Sequence, residues 1–499
     1  FVAGLGGISA HNSRGQQGIG ISASVMYAQL TTGRPAKIIS KIGPNQPSHY
    51  YELGIDTANN KPLIHKDEER EWDKDHGIKV ELDMEGTYLR GAQSVDEYLK
   101  QTAIVNPHVQ ITYVNPKAEQ IIFPRAVDQM PKQPKEIKPH PYGVELGMLM
   151  KMLQYTECRT LQSFLTTEFS RVGNDTAKQL CEEARVLPNM KPKNVSRDDC
   201  EHLIQAIKKV RIISPPTDCI SPIGEESFEK GLKKEINAEF YTAVTRKPAV
   251  YRGNPFVVEV ALAYGGNQNA QDSVTVFRFA NRVALLYQQG ACGVSKSITQ
   301  TNWKPYGLQQ SNGSLPVGPL TIAVHIASVW VPFTSESKEA IAHYPEIISE
   351  IKLALQEAGR KLQIYVHKKH RVQNQLERAN LFERYIPEVA YSLAKLTDGS
   401  KEAIERKLKD MINKSEIQSQ IHQMESLKGV VDETFNRKKA KGDEEPGMER
   451  SGINVLESGS DEPTNPDNDS GDGIQDDLER HFNNSKNEKD NDKSKGKKR

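Results

Sequence analysis

Three runs of β-branched and aromatic residues, PFVVEVALAYGG (255–266), VTVFRFANRVALLY (274–287) and LTIAVHIASVWVPF (320–333), limit what this chain can fold into more than any other feature. Side chains this apolar at nearly every position suit strands covered on both faces, so the runs predict a buried sheet. After Pro345 the period changes. Ile347, Ile351, Leu355, Ala358, Leu362 and Tyr365 recur every three to four residues, which predicts one helix running beyond Leu376 with a single apolar stripe. A sheet followed by one long helix makes an α/β unit over residues 226–396.

The rest of the chain is organised differently. At 499 residues it exceeds one compact core, and domains of about 100–200 residues suggest roughly three plus connectors. Lys and Arg number 66 against 65 Asp and Glu, a net charge of +1, so any nucleic-acid surface has to be local. Hydrophobic residues make up only 36%, and the shortfall collects at the C-terminus. From Asn436 onward Phe482 is the one aromatic side chain; a charged helical extension (397–435) is expected to give way to a disordered tail (436–499). Within that tail Asp467, Asp469, Asp472 and Asp476 resemble a calcium loop, but Gly471 interrupts the spacing and the segment reads as solvated and acidic. No metal is assigned to it. The five cysteines (Cys158, Cys181, Cys200, Cys219, Cys292) are odd in number and widely spaced, which suits a reducing interior rather than a disulfide framework or zinc knuckle. No run approaches the roughly 18–20 apolar residues of a membrane span, and none resembles a secretory leader. A cytoplasmic chain without membrane partners is expected.

The first residue is Phe rather than Met, and the start is expected to lie inside a longer gene product. The opening FVAGLGGISAHNS resembles the C-terminal splice segment of an intein (1–12). In that chemistry the Asn12 side-chain amide attacks its own carbonyl, His11 assists by proton transfer, and Ser13 supplies the hydroxyl that accepts the acyl chain. Asn12 and Ser13 would form the junction. SRGQQGIGISASVMYAQL follows, with Gly15, Gly18 and Gly20 freeing the backbone to curl ahead of a helix whose apolar spacing runs through Ile21, Val25, Ala28 and Leu30. Such a turn presents N–H groups and a positive dipole end to an anion, and phosphate is the natural ligand. No Lys-Ser/Thr follows the glycines, which excludes a Walker P-loop.

Between the glycine loop and the α/β unit lie two more regions. IKVELDM (78–84) and VQITYV (109–114) alternate as strands, and SVDEYLKQTAIV (94–105) places Val95, Tyr98, Leu99 and Ala103 on one helical face, so an α/β sandwich is expected over 13–140. PRAVDQMPKQPKEIKPHPYG (124–143) holds neither helix nor central strand and reads as a linker, with His140 a turn residue. Residues 144–225 are helical, and TLQSFLTTEFSRVGNDTAKQLCEEARVLPNMKPKNVSRDDCEHLIQAIKKV resembles a helix-two-turns-helix module. A turn at Gly173-Asn174 would open a helix at Asp175, with Lys191, Lys193, Lys208, Lys209 and Arg211 nearby to contact phosphates. The same lysines also suit a solvated face. Cys181 and Cys200 fall at apolar helical positions and read as core.

Taken in order, SRGQQGIGISA, SVDEYLKQTAIVNPH, KPHPYGVELG, SPIGEESFEKGLKKE, TRKPAVYRGNPFVVEVALAYGG, NWKPYGLQQ, PFTSESKEAIA and YIPEVAYSLAKL resemble the B subunits of archaeal DNA topoisomerase VI from Ser13 to about Leu396. The resemblance implies a multidomain α+β chain: part of a Bergerat-type ATPase domain as in gyrase, histidine kinases and MutL, then the helix-two-turns-helix domain, then a transducer. It implies ATP and Mg2+ as cofactors, with Gly15, Gln16, Gln17, Gly18, Ile19 and Gly20 cradling the nucleotide. It further implies a second B subunit as ATP-dependent partner, a DNA-cleaving A subunit completing an A2B2 heterotetramer, and double-stranded DNA as substrate on the nucleoid.

In that family the acidic helix with the catalytic Glu and magnesium-binding Asn, and the D-x-G-x-G loop, precede the glycine loop. Neither pattern occurs ahead of Gly15 here, so the chain is expected not to complete a nucleotide site by itself, and a non-enzymatic DNA clamp is the alternative. His76-Gly77-Ile78 departs from the family's His-Gly-Thr and loses a hydroxyl near the base. Lys338 matches the family's switch lysine, long enough to reach a γ-phosphate from a neighbouring domain; from its surroundings alone it is a surface lysine beside Glu336 and Glu339. Trp303, Lys304 and Tyr306 match a loop implicated in DNA contact, although a turn anchored by a buried Trp would look the same. RYIPEVAYSLAKL (384–396) matches the end that docks on the A subunit through Tyr385, Ile386, Val389 and Leu393.

Overall fold

The computed structural model describes residues 20–57, 59 and 61–410. The splice-like residues His11, Asn12 and Ser13, Gly15 through Ile19 of the glycine loop, the far part of the charged extension, and the tail with its acidic segment lie outside the described residues.

The described chain opens with helix α1 (Gly20–Thr32), then strands β1 (Ala36–Lys41), β2 (Ser48–Asp56), β3 (Lys61–Arg70) and β4 (Gly77–Glu81). They form an antiparallel sheet in the order β3-β2-β1-β4. Val25 and Ala28 turn α1 inward, and the Gln29 amide accepts from Ile55 N–H and donates to Ile55 O, fastening helix to strand as a ladder would. Of these strands the alternation rule anticipated only β4. All ten residues of β3 are exposed, so burial left no apolar period in KPLIHKDEER to read.

Helix α2 (Val95–Val105) starts at Ser94, whose hydroxyl accepts from Glu97 N–H. Its buried side differs from the expected one. Gln101, Ala103, Ile104 and Val105 are enclosed, whereas Val95 and Tyr98 are exposed. The reason is end-on packing: the C-terminal turn of α2 lies against α7 (Glu225–Glu235), while its first turn borders an open cleft. A hairpin of β5 (Ile111–Val114) and β6 (Gln120–Phe123) follows. The proline-rich stretch then runs without regular elements as far as His140, which caps a short 3-10 turn. Its Nδ1 accepts from Tyr142 N–H, leaving Nε2 to donate to Ile213 O at 3.0 Å.

Helices α3 (Leu146–Tyr155), α4 (Leu161–Glu168), α5 (Asn174–Glu183) and α6 (Arg197–Lys209) enclose their own core around Leu149, Phe164, Leu165, Leu180 and Leu203. Cys181 and Cys200 belong to it, and burial pushes both thiols up to about 11, where they stay protonated and unreactive. Ser196 and Asp199 form a reciprocal capping box on α6.

The largest core is built by β7 (Phe240–Thr245), β8 (Ala249–Tyr251), β9 (Asn254–Tyr264), β10 (Thr275–Ala280), β11 (Val283–Ala284) and β12 (Leu320–Ser328). The sheet order is β11-β10-β12-β9-β7, with β8 on β9 and a single parallel pair, β10 with β12. The run at 274–287 is thus two strands. Asn281 and Arg282 both adopt positive φ, +47° and +63°, and reverse the chain between β10 and β11. Helix α8 (Gly293–Gln300) precedes β12, and α9 (Pro345–Thr397) crosses the sheet with Ile347, Ile351, Leu355, Ala358, Leu362 and Tyr365 all buried. Helix α10 (Lys401–Asp410) packs back on the far end of α9. No helix among the described residues is long and apolar enough to cross a membrane.

The contact of α7 with α2 admits no side chain at Gly231, where a Cβ would lie 2.0 Å from Ile104 O. Gly231→Ala should therefore destabilise the fold by about 1–3 kcal/mol, overpacking outweighing the roughly 1 kcal/mol gained in helix propensity. Urea unfolding of the variant against the parent chain checks this, and an unchanged or raised midpoint refutes it.

Candidate functional site

The segment between β12 and α9 carries Lys338. Thr334 N–H donates to Ala340 O at 2.9 Å, Lys338 N–H to Ser335 O at 3.1 Å, and Phe333 pairs with Ile341. Lys338 is half-buried and has φ of +56°, a conformation that disfavours any residue with a side chain. Among the described residues no ion pair engages its ammonium, although Glu336 and Glu339 flank it in sequence. Ser337, Lys338 and Glu339 form one wall of a cleft of about 440 Å³. Ser94, Val95 and Tyr98 from the start of α2 and Val283 to Tyr287 also line it. The structure thus brings Lys338 to the region that precedes the sheet core in sequence. Of the glycine loop only Gly20 is described; it is exposed at the start of α1, with open space around it.

The basic residues of the helical region are all at the surface. Lys191 and Lys193 flank Pro192, Lys208 and Lys209 end α6, and Arg211 follows; each is exposed. Part of this charge has a local explanation. Lys208 and Lys209 stand at the negative end of the α6 dipole, and Lys209 pairs with Glu183 at 2.8 Å. Gly173 caps α5, which begins at Asn174, one residue ahead of the expected start, and Asp175 places a carboxylate in its first turn.

The Trp303 loop requires a correction. Trp303 is fully buried, its Nε1–H donating to Ile298 O at 2.9 Å. Tyr306 meets it edge to face and lies so close to α9 that a Cβ on Gly359 would sit 2.4 Å from its ring. Neither ring has a face to offer DNA, because both anchor the loop under the helix. Lys304 alone of the three is exposed. The end of α9 is corrected in the same way: Tyr385, Val389 and Leu393 are exposed, but Ile386 is 1% exposed and turned inward, on the stretch where α10 packs back. It is not part of an open docking stripe.

A polar group that sequence reasoning missed lies at the centre of the sheet. Register pairs Glu259 of β9 directly with His325 of β12, and both are 0% exposed. The carboxylate accepts from His325 Nδ1 at 2.7 Å, from Ile223 and Gly224 N–H at 2.7 Å each, and from the Thr245 hydroxyl at 2.9 Å. Burial by itself would raise the Glu259 carboxyl, but these donors outweigh it and hold it below the usual range. His325 Nε2 accepts from Arg282 N–H at 3.0 Å, so the ring is neutral, and burial keeps its proton affinity below the ordinary one. The signal was present as one ionisable residue inside each apolar run, VVEVAL and AVHIAS. Among the described residues no group of His, Cys, Asp or Glu is arranged to hold a metal ion.

The family model described as "Topoisomerase VI B subunit, transducer" matches residues 215–378. The B subunit of type 2 DNA topoisomerase 6 from Methanococcoides burtonii is 50% identical over 400 residues, covering 80% of this chain and 63% of the relative. Its counterpart from Archaeoglobus fulgidus is 43% identical over 430 residues, covering 86% of this chain and 71% of the relative. The one from Thermococcus kodakarensis is 36% identical over 450 residues, covering 80% and 78%. The chain thus spans less than two thirds of the Methanococcoides protein and more than two thirds of the other two.

The Glu259–His325 pair makes stability depend on pH. In the unfolded chain His325 takes up a proton near the ordinary value of 6.5, which the folded chain refuses; stability is full above that pH and declines below it. His140, also pushed down by burial, acts in the same direction. Glu259 adds its own loss as the pH falls below its ordinary 4.5. Urea titrations should show unfolding free energy dropping between about pH 6.5 and 5 by up to about 1.4 kcal/mol per pH unit for each histidine. His325→Gln should flatten part of that slope, and a pH-independent stability across the window would contradict it.

Proposed function

The chain belongs to the family of topoisomerase VI B subunits, and on that premise we propose that it is the ATP-responsive gate subunit of a type IIB DNA topoisomerase. In this reading ATP draws two B subunits together, and their closure drives an A subunit to pass one duplex through another and relax supercoils. The feature that supports it best is the Lys338 segment: a half-buried lysine in a strained conformation, without an ion pair among the described residues, at the wall of a cleft facing α2. Such a lysine meets an anion only when one is delivered to it, so it favours the closed arrangement over the open one.

The roles of individual residues follow the same reading. Gly15, Gln16, Gln17, Gly18, Ile19 and Gly20 would hold the nucleotide phosphates through main-chain N–H groups, and Lys338 would donate to the γ-phosphate as a mobile point charge. In the family's order of motifs, these residues would supply the latter part of the nucleotide site. Magnesium is assigned to no residue of this chain. Lys191, Lys193, Lys208, Lys209, Arg211 and Lys304 would bind duplex phosphates without reading sequence, with a salt-sensitive affinity. Residues 13–140 would serve as ATPase part, 144–225 as helix-two-turns-helix domain, 226–396 as transducer and 397–435 as extension, with the A subunit meeting Tyr385, Val389 and Leu393. Acting on chromosomal DNA places the chain inside the cell. His11, Asn12 and Ser13 would be the trace of protein splicing.

In the enzyme assembled with its A subunit and a complete nucleotide site, Lys338→Ala should leave ATP binding nearly intact. It should slow hydrolysis and supercoil relaxation together by about 2–4 kcal/mol of transition-state stabilisation. Lys304→Ala should reduce the stimulation of hydrolysis by DNA. Paired ATPase and relaxation assays test both, and wild-type rates for Lys338→Ala would make it an ordinary surface lysine. For the splice junction, mass spectrometry of the mature native protein should find no peptide spanning Asn12 and Ser13; its detection would end that part of the proposal.

A further inference from the structure

Behind the Lys338 segment sits a buried arginine. Arg278, on β10, is 2% exposed, and among the described residues its guanidinium donates to main-chain carbonyls: Nη2 to Leu285 O and Tyr287 O, both at 2.8 Å, and Nη1 to Glu339 O at 3.4 Å. Its own carbonyl accepts from Leu285 N–H at 2.8 Å. Leu285 and Tyr287 line one side of the cleft, and Glu339 is the residue after Lys338. One planar fork therefore ties the two walls together. The turn of the same β10–β11 hairpin holds the far end of α2, the helix whose first turn lines the cleft. Arg282 Nη1 donates to Val105 O at 3.1 Å and Asn106 Nδ2 donates to Arg282 O at 3.3 Å, both at the C-terminal end of α2, while Arg282 Nη2 donates to Pro222 O at 2.9 Å, just ahead of α7.

This arrangement needs a reason beyond packing. Burying a guanidinium without a carboxylate partner is unfavourable unless every donor is well used, and an apolar side chain on β10 would fill the same space. Carbonyl groups from two separate segments, by contrast, repel unless a donor stands between them. The segment so held contains a residue at φ +56° with one local N–H bond of its own, which would relax if released.

We propose that Arg278 is the positioning residue for Lys338. By fixing Glu339 O to the β10–β11 hairpin, which also holds α2, it sets where the ammonium stands relative to Ser94, Val95 and Tyr98, which share the cleft. The assignment rests on the reading of Lys338 as a nucleotide contact, and the two can fail separately. Lysine at 278 would keep the charge but could not span three carbonyls in one plane.

Hydrogen exchange on the 499-residue chain tests the positioning role directly. In Arg278→Lys the amides of Thr334 and Lys338 should exchange about tenfold faster, while those of Val260 and Val324 inside the sheet keep their protection. Unchanged exchange at Thr334 and Lys338 in a folded Arg278→Lys chain overturns the proposal. So does a rise that is equal in the loop and in the sheet strands in both Arg278→Lys and the milder Arg278→Gln, which would make Arg278 a general core residue. In the assembled ATP-hydrolysing enzyme Arg278→Lys should lower kcat about tenfold with KM within about twofold, and adding it to Lys338→Ala should lower kcat no further. Losses that add overturn the link between the two residues. Wild-type hydrolysis by Lys338→Ala alone overturns instead the reading of Lys338 as a nucleotide contact.

Discussion

The carboxylate of Glu259 holds the central sheet to its surroundings. It stands in the middle of β9, fully enclosed, and its four donors come from the entry to α7, from β7 and from β12. A buried charge of this kind is tolerable only when every lone pair is used, and removing one partner leaves an uncompensated charge at a cost of about 3–5 kcal/mol. Of the two N–H donors, Gly224 is the N-cap of α7, whose N–H has no partner within the helix, and a carboxylate also suits the positive end of the helix dipole. Glu259 thus fixes α7 onto the sheet, and α7 in turn receives α2 across Gly231.

His325 extends the same network by one step. Its second nitrogen accepts from the backbone of Arg282, whose side chain reaches Val105 and Pro222. The path from sheet centre to α2 therefore runs through hydrogen bonds of defined direction rather than through apolar contact, and these cannot slide as packed methyl groups can. On the other side of the sheet α9 is held by apolar packing, with Tyr306 seated on Gly359 and Tyr365 stacked on Phe240 at 4.6 Å between ring centroids. Arg246 adds pairs to Glu350 and Glu357 of the helix. The long helix is thus attached to the sheet mainly by packing with a few ion pairs, and α2 by directed hydrogen bonds.

Elements whose burial leaves a period in the sequence were legible. The stripe of α9, the cores of α5 and α6 with Cys181 and Cys200, and the strands β9 and β12 stand where their apolar spacing put them. Elements that bury little were not: β3 exposes all ten residues, and the periodic face of α2 pointed to Val95 and Tyr98 because its packing is at one end rather than along one side. Among the candidate site residues, Lys338 was singled out through a family motif, since a lysine between two glutamates carries no signal of its own. Trp303 and Tyr306 were misplaced because aromatic residues serve burial and stacking equally well.

By itself the sequence determined the family, the mixed α+β class and the elements that carry an apolar period, because local propensity, apolar period and motif order are properties of neighbouring residues along the chain. Only the tertiary structure decided which polar groups share a space. Glu259 and His325 are 66 residues apart, and Arg278 and Glu339 61; nothing in their neighbours requires them to meet. Strand register and the left-handed turn at Asn281 and Arg282 bring them together, and the strength of a buried polar contact depends on that distance and enclosure, which no stretch of sequence contains.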